Sequence, residues 1–430
     1  MNNYSDEAAW ETATQQIHGG YAGGAFQNTV AVPIYQTAAY EFADFAAAGD
    51  LFAQRRRGNT YSRTGNPTVA VFEQRIAALD GGAAAVGTAS GQSAVAVALL
   101  ALAAGGRHIV ASSEIYGGTV DLLADTFPEF GISTTFVDPL DPAAWEAALR
   151  PETCAVFLES IGNPLATLAD LPVIAGIAHR HGVPVVVDNT LATPALYRPL
   201  EHGADIVVYS ATKFLGGHGT SLAGAVVDGG RFPFAAFPGR WPQLARPSAR
   251  LEGRTYIGEY GEATAYAALV RSKYLHDLGP SLSPFNAFQI LQGLETLDLR
   301  MARHSASALE VAELLDSHPA VARVHYPALP GHPRHGLAVR DFPAGAGSVF
   351  GFDLKDAGGA GGFIDALRLF KLVANVGDTR SLVSHPATMT HARLTPEQRT
   401  AAGISAGTIR LSVGLEDPRD LITDLKRALE

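Results

Sequence analysis

Ala204-Asp-Ile-Val-Val-Tyr-Ser210 runs directly into Ala211-Thr-Lys213-Phe-Leu-Gly-Gly-His-Gly219. The first stretch is a short β-rich run, and the glycines after it mark a turn. Lys213 is the first lysine of the chain; Lys273, Lys355, Lys371 and Lys426 follow it. A primary amine at a strand end, flanked by Ser210, Thr212 and a glycine turn, suits an aldehyde held as an imine with a phosphate on the adjacent hydroxyls. Pyridoxal phosphate needs both parts. Taken alone, the stretch equally describes an ordinary loop lysine in an arginine-preferring chain, so the decision falls to its surroundings.

Working outward, similar β-rich runs recur at residues 107–111, 134–137, 155–158, 183–187 and 223–227, with Ala- and Leu-rich helical stretches at 94–104 and 172–181 between several of them. That alternation predicts an α/β fold, a mostly parallel sheet covered by helices on both faces. Residues 1–65 read as an irregular arm, 66–270 as the large domain and 271–430 as a smaller C-terminal α/β domain that ends in an amphipathic helix, 417–429. Within the large domain, residues 229–257 are aromatic, proline-rich and non-periodic. They are expected to form a long loop serving as an active-site wall or a subunit contact. Helical character is expected at 263–278 and at 287–317.

The chain has 430 residues, 47% apolar and 17% charged, with a net charge of -10. This is an enzyme-like composition without a basic stripe, which argues against nucleic-acid binding. The single cysteine, Cys154, excludes an internal disulfide and sits in a strand-like run as a small core residue. No His, Asp or Glu spacing suits a metal. The N-terminus lacks an apolar signal core, and no apolar run approaches the ~20 residues of a membrane span. A cytoplasmic enzyme is the expectation.

Several residues fit the needs of a phosphorylated pyridine. Ser90-Gly91-Gln92-Ser93 opens a helix, whose free N–H groups and dipole cradle a phosphate; a plain serine cap is the alternative. Asp188 ends the run 183–187, at the strand edge where open α/β sheets bind ligands, and can keep a pyridine nitrogen protonated; it also reads as a helix cap. Tyr116, on the turn Glu114-Ile-Tyr-Gly-Gly-Thr119, can stack on a flat ring. Asn163 can bond a ring hydroxyl. Arg410, in Thr408-Ile-Arg-Leu-Ser412, suits a bidentate grip on a carboxylate. Loop histidines His218 and His385 read as hydrogen-bonding or surface residues.

Over nearly its whole length the chain resembles the cysteine and methionine metabolism family of pyridoxal-phosphate enzymes. The matching stretches lie in order at 60–68, 89–94, 116–119, 187–190, 210–214, 374–378 and 410–417. The resemblance implies the type I fold of aspartate aminotransferase. It also implies that Lys213 carries the imine and acts as the base, Asp188 pairs with the ring nitrogen and Tyr116 stacks. Ser90, Gly91, Gln92, Ser210 and Thr212 would hold the phosphate. Tyr61 and Arg63 would reach it from a neighbouring subunit, with Tyr61 assisting proton transfer, in a homo-oligomer expected to be a tetramer of active-site-sharing dimers. Arg410, Asn163 and Ser381 would orient the substrate carboxylate. The insert 229–257, the stretches 282–288 and 292–296, and 381–391 resemble the branch that joins sulfide to O-acetyl-L-homoserine. Gly118 stands where the methionine-degrading lyases usually have cysteine. Cystathionine synthesis, γ-elimination, O-acetylserine use and a non-catalytic pyridoxal-phosphate-binding regulator remain alternatives.

Overall fold

The computed structural model describes residues 10–103, 107–393, 399 and 402–430. The polar start, residues 1–7, and Ala104 lie outside them. Seven strands form the main sheet: β1 (Ala84–Thr88), β2 (His108–Ser112), β3 (Ser133–Val137), β4 (Thr153–Glu159), β5 (Val185–Asp188), β6 (Ile206–Ser210) and β7 (Gly224–Asp228). Their order is β1-β7-β6-β5-β4-β2-β3. Strands β2 to β6 run parallel, while β7 lies antiparallel between β1 and β6.

Both faces of this sheet are covered, as its near-continuous Val/Ile runs require. Val185, Val187 and Val207 enter one hydrophobic core, whereas Val186, Ile206 and Val208 enter the other. The period-two alternation of strand side chains thus feeds two cores at once. Helix Gly91–Ala103 packs on one face and helix Leu171–Arg180 on the other.

A second sheet contains β8 (Val321–His325), β9 (Val349–Leu354), β10 (Lys371–Leu372), β11 (Leu382–Ser384) and β12 (Thr408–Ser412). Its order is β10-β11-β12-β9-β8, antiparallel except for the first pair. The C-terminal helix Pro418–Leu429 is capped by Asp417, whose side chain accepts the Arg419 N–H.

Three expectations need correction. The helical stretch through 287–317 is two helices, Pro284–Leu294 and Leu297–Ser317, interrupted at Glu295 and Thr296. The arm is not wholly irregular, since Thr12–His18 and Phe45–Phe52 are helical. The insert is not a long open loop either. Its aromatics join the core on one face of the main sheet: Trp241 is fully buried, edge-on to Phe232 and Phe234, with Phe234 stacked on Tyr266. Burying such rings outweighs the missing periodicity. The insert then braces the arm. Glu252 pairs with Arg55 at 2.7 Å, and Arg254 donates to the Ala53 carbonyl at 2.8 Å. Among the described residues no helix is long and apolar enough to cross a membrane.

Candidate active site

Strands β4, β5 and β6 end side by side, and this edge carries the candidate chemistry. Glu159 pairs in register with Asp188. Beyond β6 the chain makes the Lys213 turn and returns as β7, with Ser210 opposite Gly224. Helix Gly91–Ala103 starts against that turn: a Cβ on Gly91 would fall 2.6 Å from the Ser210 Cα. Ser90 and Ser93 cap each other reciprocally. The Ser93 N–H donates to Ser90 Oγ at 3.2 Å, and the Ser90 N–H donates to Ser93 Oγ at 3.1 Å. Among the described residues the N–H groups of Gly91 and Gln92 have no partner, which leaves an anion cradle at the helix start. The serine cap is thus formed, and the cradle expectation keeps the donors it needs.

The hydroxyls divide. Ser210 receives its backbone support from Thr190, through an N–H to Oγ1 bond of 2.7 Å, and its own hydroxyl has no partner among the described residues. The Thr212 hydroxyl instead accepts the Ala223 N–H at 3.0 Å and donates to the Ala223 carbonyl. Gln92 turns its amide to the Gly118 carbonyl, at 2.7 Å.

Asp188 and Glu159 are neighbouring carboxyls without an ion-pair partner among the described residues. Burial raises Asp188 to about 6. Burial first, and Asp188 second, push Glu159 well above the usual carboxylate range. Such a pair accommodates a cation, and a protonated pyridine nitrogen is one. Lys213 lies on the same edge. Burial, with a smaller contribution from the Arg410 charge, lowers its amine to about 8, close to a working base. The Tyr116 ring folds over Gly118, where a Cβ would come 2.6 Å from the ring edge, and 47% of Tyr116 stays exposed.

A second corner comes from the smaller sheet. Arg410 is buried, without an acidic partner among the described residues; its guanidinium donates to Asn163 Oδ1 at 3.2 Å and to the Asn375 carbonyl at 3.0 Å. Its Nε has no partner among the described residues, and burial lowers its pKa to about 10. A cation held this way is prepared for a carboxylate. Asn375 also joins the two corners, because its Oδ1 accepts from Lys213 Nζ.

Ser381 does not enter this corner. Its fully buried hydroxyl donates to Glu416 Oε2 and accepts the Gly414 N–H, both at 2.8 Å. Tyr61 and Arg63 are exposed on the arm, with the guanidinium over the tyrosine ring at 5.3 Å, and make no hydrogen bond to Lys213, Asp188 or Ser210 in the same chain. His218 bonds the Gly216 carbonyl, and His385 bonds Thr388 and the Ala406 carbonyl.

Sequence reasoning missed three contributors. Asn375 lay inside the recognised stretch 374–378 without being singled out. Glu159 ends a strand four residues before Asn163. Arg300 carried no local signal. It is buried and donates to the carbonyls of Phe214 at 2.7 Å, Leu215 at 3.3 Å and Gly293 at 2.6 Å, so it fastens the turn after Lys213.

Part by part, the amine, the acidic pair, the half-exposed ring and the glycine-tight helix start suit pyridoxal phosphate. Residues 13–430 match the family described as Cys/Met metabolism PLP-dependent enzyme. The chain is 45% identical to the O-acetyl-L-homoserine sulfhydrylase of Leptospira meyeri, over 97% of this chain and 96% of that one. It is 44% identical to the homocysteine synthase of Schizosaccharomyces pombe, over 97% of each. A crystal structure from Campylobacter jejuni, of a protein described as an O-acetylhomoserine (thiol)-lyase with a pyridoxyl-lysine phosphate residue, superposes with a TM-score of 0.94 at 39% identity, covering 98% of this chain and 100% of that one. With its mostly parallel large sheet and smaller second sheet, the chain belongs to the Cys/Met metabolism family of pyridoxal-phosphate-dependent enzymes.

Proposed function

We propose that the chain catalyses γ-replacement on O-acetyl-L-homoserine, joining sulfide to give L-homocysteine and acetate in methionine biosynthesis. The names of its full-length relatives support this reading. The observation that carries it is Asn375, which links a lysine of lowered basicity to a buried arginine free to bind a carboxylate. Bound pyridoxal phosphate supplies an electron sink that makes the Cα and Cβ protons of an amino acid labile.

The chain's own residues supply the rest. Lys213 would carry the cofactor, and its amine, when free, would move protons at Cα and Cβ of the substrate. Asp188 would keep the proton on the ring nitrogen, and Tyr116 would stack on the ring. The N–H groups of Gly91 and Gln92, with Ser90, Ser210 and Thr212 around them, hold the phosphate. Arg410 and Asn163 grip the substrate carboxylate, and we place Asn375 there in preference to Ser381. The C–O bond at Cγ breaks as acetate leaves, and the sulfur of sulfide bonds that carbon. Fixing the reactants in one geometry contributes several kcal/mol to lowering the barrier.

Tyr61 and Arg63 are assigned to the site of a second copy, in a tetramer of site-sharing dimers. Their exposure supports this, as do Val30, Phe45 and Phe52, which stand 97%, 96% and 72% exposed on the same arm. The test supplies O-acetyl-L-homoserine with and without sulfide to the holoenzyme. Homocysteine and acetate formed only with sulfide are expected; ketobutyrate and ammonia without sulfide would replace the reading by γ-elimination.

A further inference from the structure

Glu159 stands outside the chemistry assigned above, yet its carboxylate touches two separate parts of the site. Oε1 accepts the Tyr116 N–H at 2.6 Å, and Oε2 accepts the Asn163 N–H at 3.2 Å. A hydrogen bond to a residue's own N–H restrains its backbone and so the direction of its side chain. One of these side chains is the half-exposed ring over Gly118; the other holds Arg410. The charged or titratable group facing Glu159 from the adjacent strand is Asp188. No lysine, arginine or histidine pairs with Glu159 among the described residues. A buried carboxyl beside a second one, without a cation, is a costly way to tie two loops. Groups held at such a cost cluster at functional sites.

We propose that Glu159 is a positioning residue that sets the Tyr116 ring and the Asn163–Arg410 clamp relative to each other, one main-chain N–H on each carboxylate oxygen. The proposal rests on the reading that this pocket binds pyridoxal phosphate and an amino acid. Glu159 touches neither; it acts through the two residues it holds. Because the two oxygens serve different partners, a side chain with one acceptor cannot replace it.

The experiment compares Glu159→Gln and Glu159→Asp with the parent holoenzyme. Glutamine keeps one acceptor and sets an NH2 group against the other N–H, while aspartate draws both oxygens back by one methylene. In Glu159→Gln the KM for O-acetyl-L-homoserine is expected to rise about 10- to 100-fold, the scale of one orphaned buried donor. The KM for sulfide stays near the parent value. The visible circular dichroism of the bound cofactor, which reports the ring's setting against Tyr116, changes in amplitude while the far-ultraviolet spectrum does not. Glu159→Asp is expected to shift both readouts in the same direction and by less. Parent-like visible dichroism and KM in either folded variant, with only thermal stability lowered, would overturn the proposal. If Glu159→Gln yields no folded protein, Glu159→Asp decides alone. A change in dichroism in a protein that makes no homocysteine would refute the reaction and leave the role of Glu159 standing.

Discussion

The floor of this site and its far wall are assembled over very different distances along the chain. The floor, with Asp188, Ser210 and Lys213, comes from the ends of consecutive strands and the turn after them, 25 residues from first to last. The wall joins Arg410 to Asn163 across 247 residues and Lys213 to Asn375 across 162. The floor is therefore strand-end chemistry that any copy of this sheet would present, whereas the wall exists only once the second sheet has docked. On the function proposed above, cofactor attachment would belong to the first and substrate selection to the second.

Lys213→Ala breaks the floor. Turnover to homocysteine should fall about a thousandfold or more, and the absorbance near ~420 nm that marks the lysine-bound cofactor should vanish. Arg410→Ala breaks the wall and spares the floor. The KM for O-acetyl-L-homoserine should rise about 100-fold, the scale of a lost charge-assisted pair, with the ~420 nm band intact. Asn375→Ala and Ser381→Ala sharpen the boundary between them. The first should raise that KM about 10-fold. The second should leave it within about twofold while costing about 1–2 kcal/mol in denaturant unfolding, because Glu416 and the Gly414 N–H lose a buried partner.

The smallest effect tests whether wall and floor communicate. Burial, and then the Arg410 charge, lower Lys213 to about 8. A lowered amine is protonated below that pH and neutral above it, and only the neutral amine attacks an aldehyde. Uptake of pyridoxal phosphate by the apoenzyme, followed by absorbance, should therefore rise with pH to about 8 and flatten beyond. An unperturbed lysine would keep rising to about 10. In Arg410→Gln the midpoint should move upward by less than about one pH unit, since repulsion of the ammonium is relieved; an unmoved midpoint would separate the two regions completely.

The same contrast of distances governs what could be read from the sequence. Strands β5 and β6 were legible because Val-Val-Val and Ile-Val-Val suit strands buried on both faces. β1, Ala84-Ala-Val-Gly-Thr88, escaped because alanine and glycine carry little strand signal. Lys213, Asp188 and Arg410 were legible because each sits at a strand end or in a short β-run with fitting neighbours. Glu159 and Arg300 were not, because their meaning lies in main-chain groups 43 and 86 residues away. Ser381 turns its hydroxyl to Glu416, while Asn375, six residues earlier, accepts from Lys213, a difference that a short loop hides from the sequence. The insert misled because aromatic burial has no period to detect.

The antiparallel return of β7 beside β6 has a further consequence for how the enzyme comes into being. The Ser210–Gly224 pair closes a loop of only fourteen residues around Lys213, whereas the Arg410–Asn163 contact closes one of 247. By chain-closure entropy the longer loop costs about 2.5 kcal/mol more, and contacts of low sequence separation form sooner. The hairpin around Lys213 is thus the cheaper of the two to close, and the Arg410–Asn163 contact the dearer. If Lys213 and Arg410 act as proposed, the means of capturing an aldehyde costs the chain less to close than the means of telling one amino acid from another.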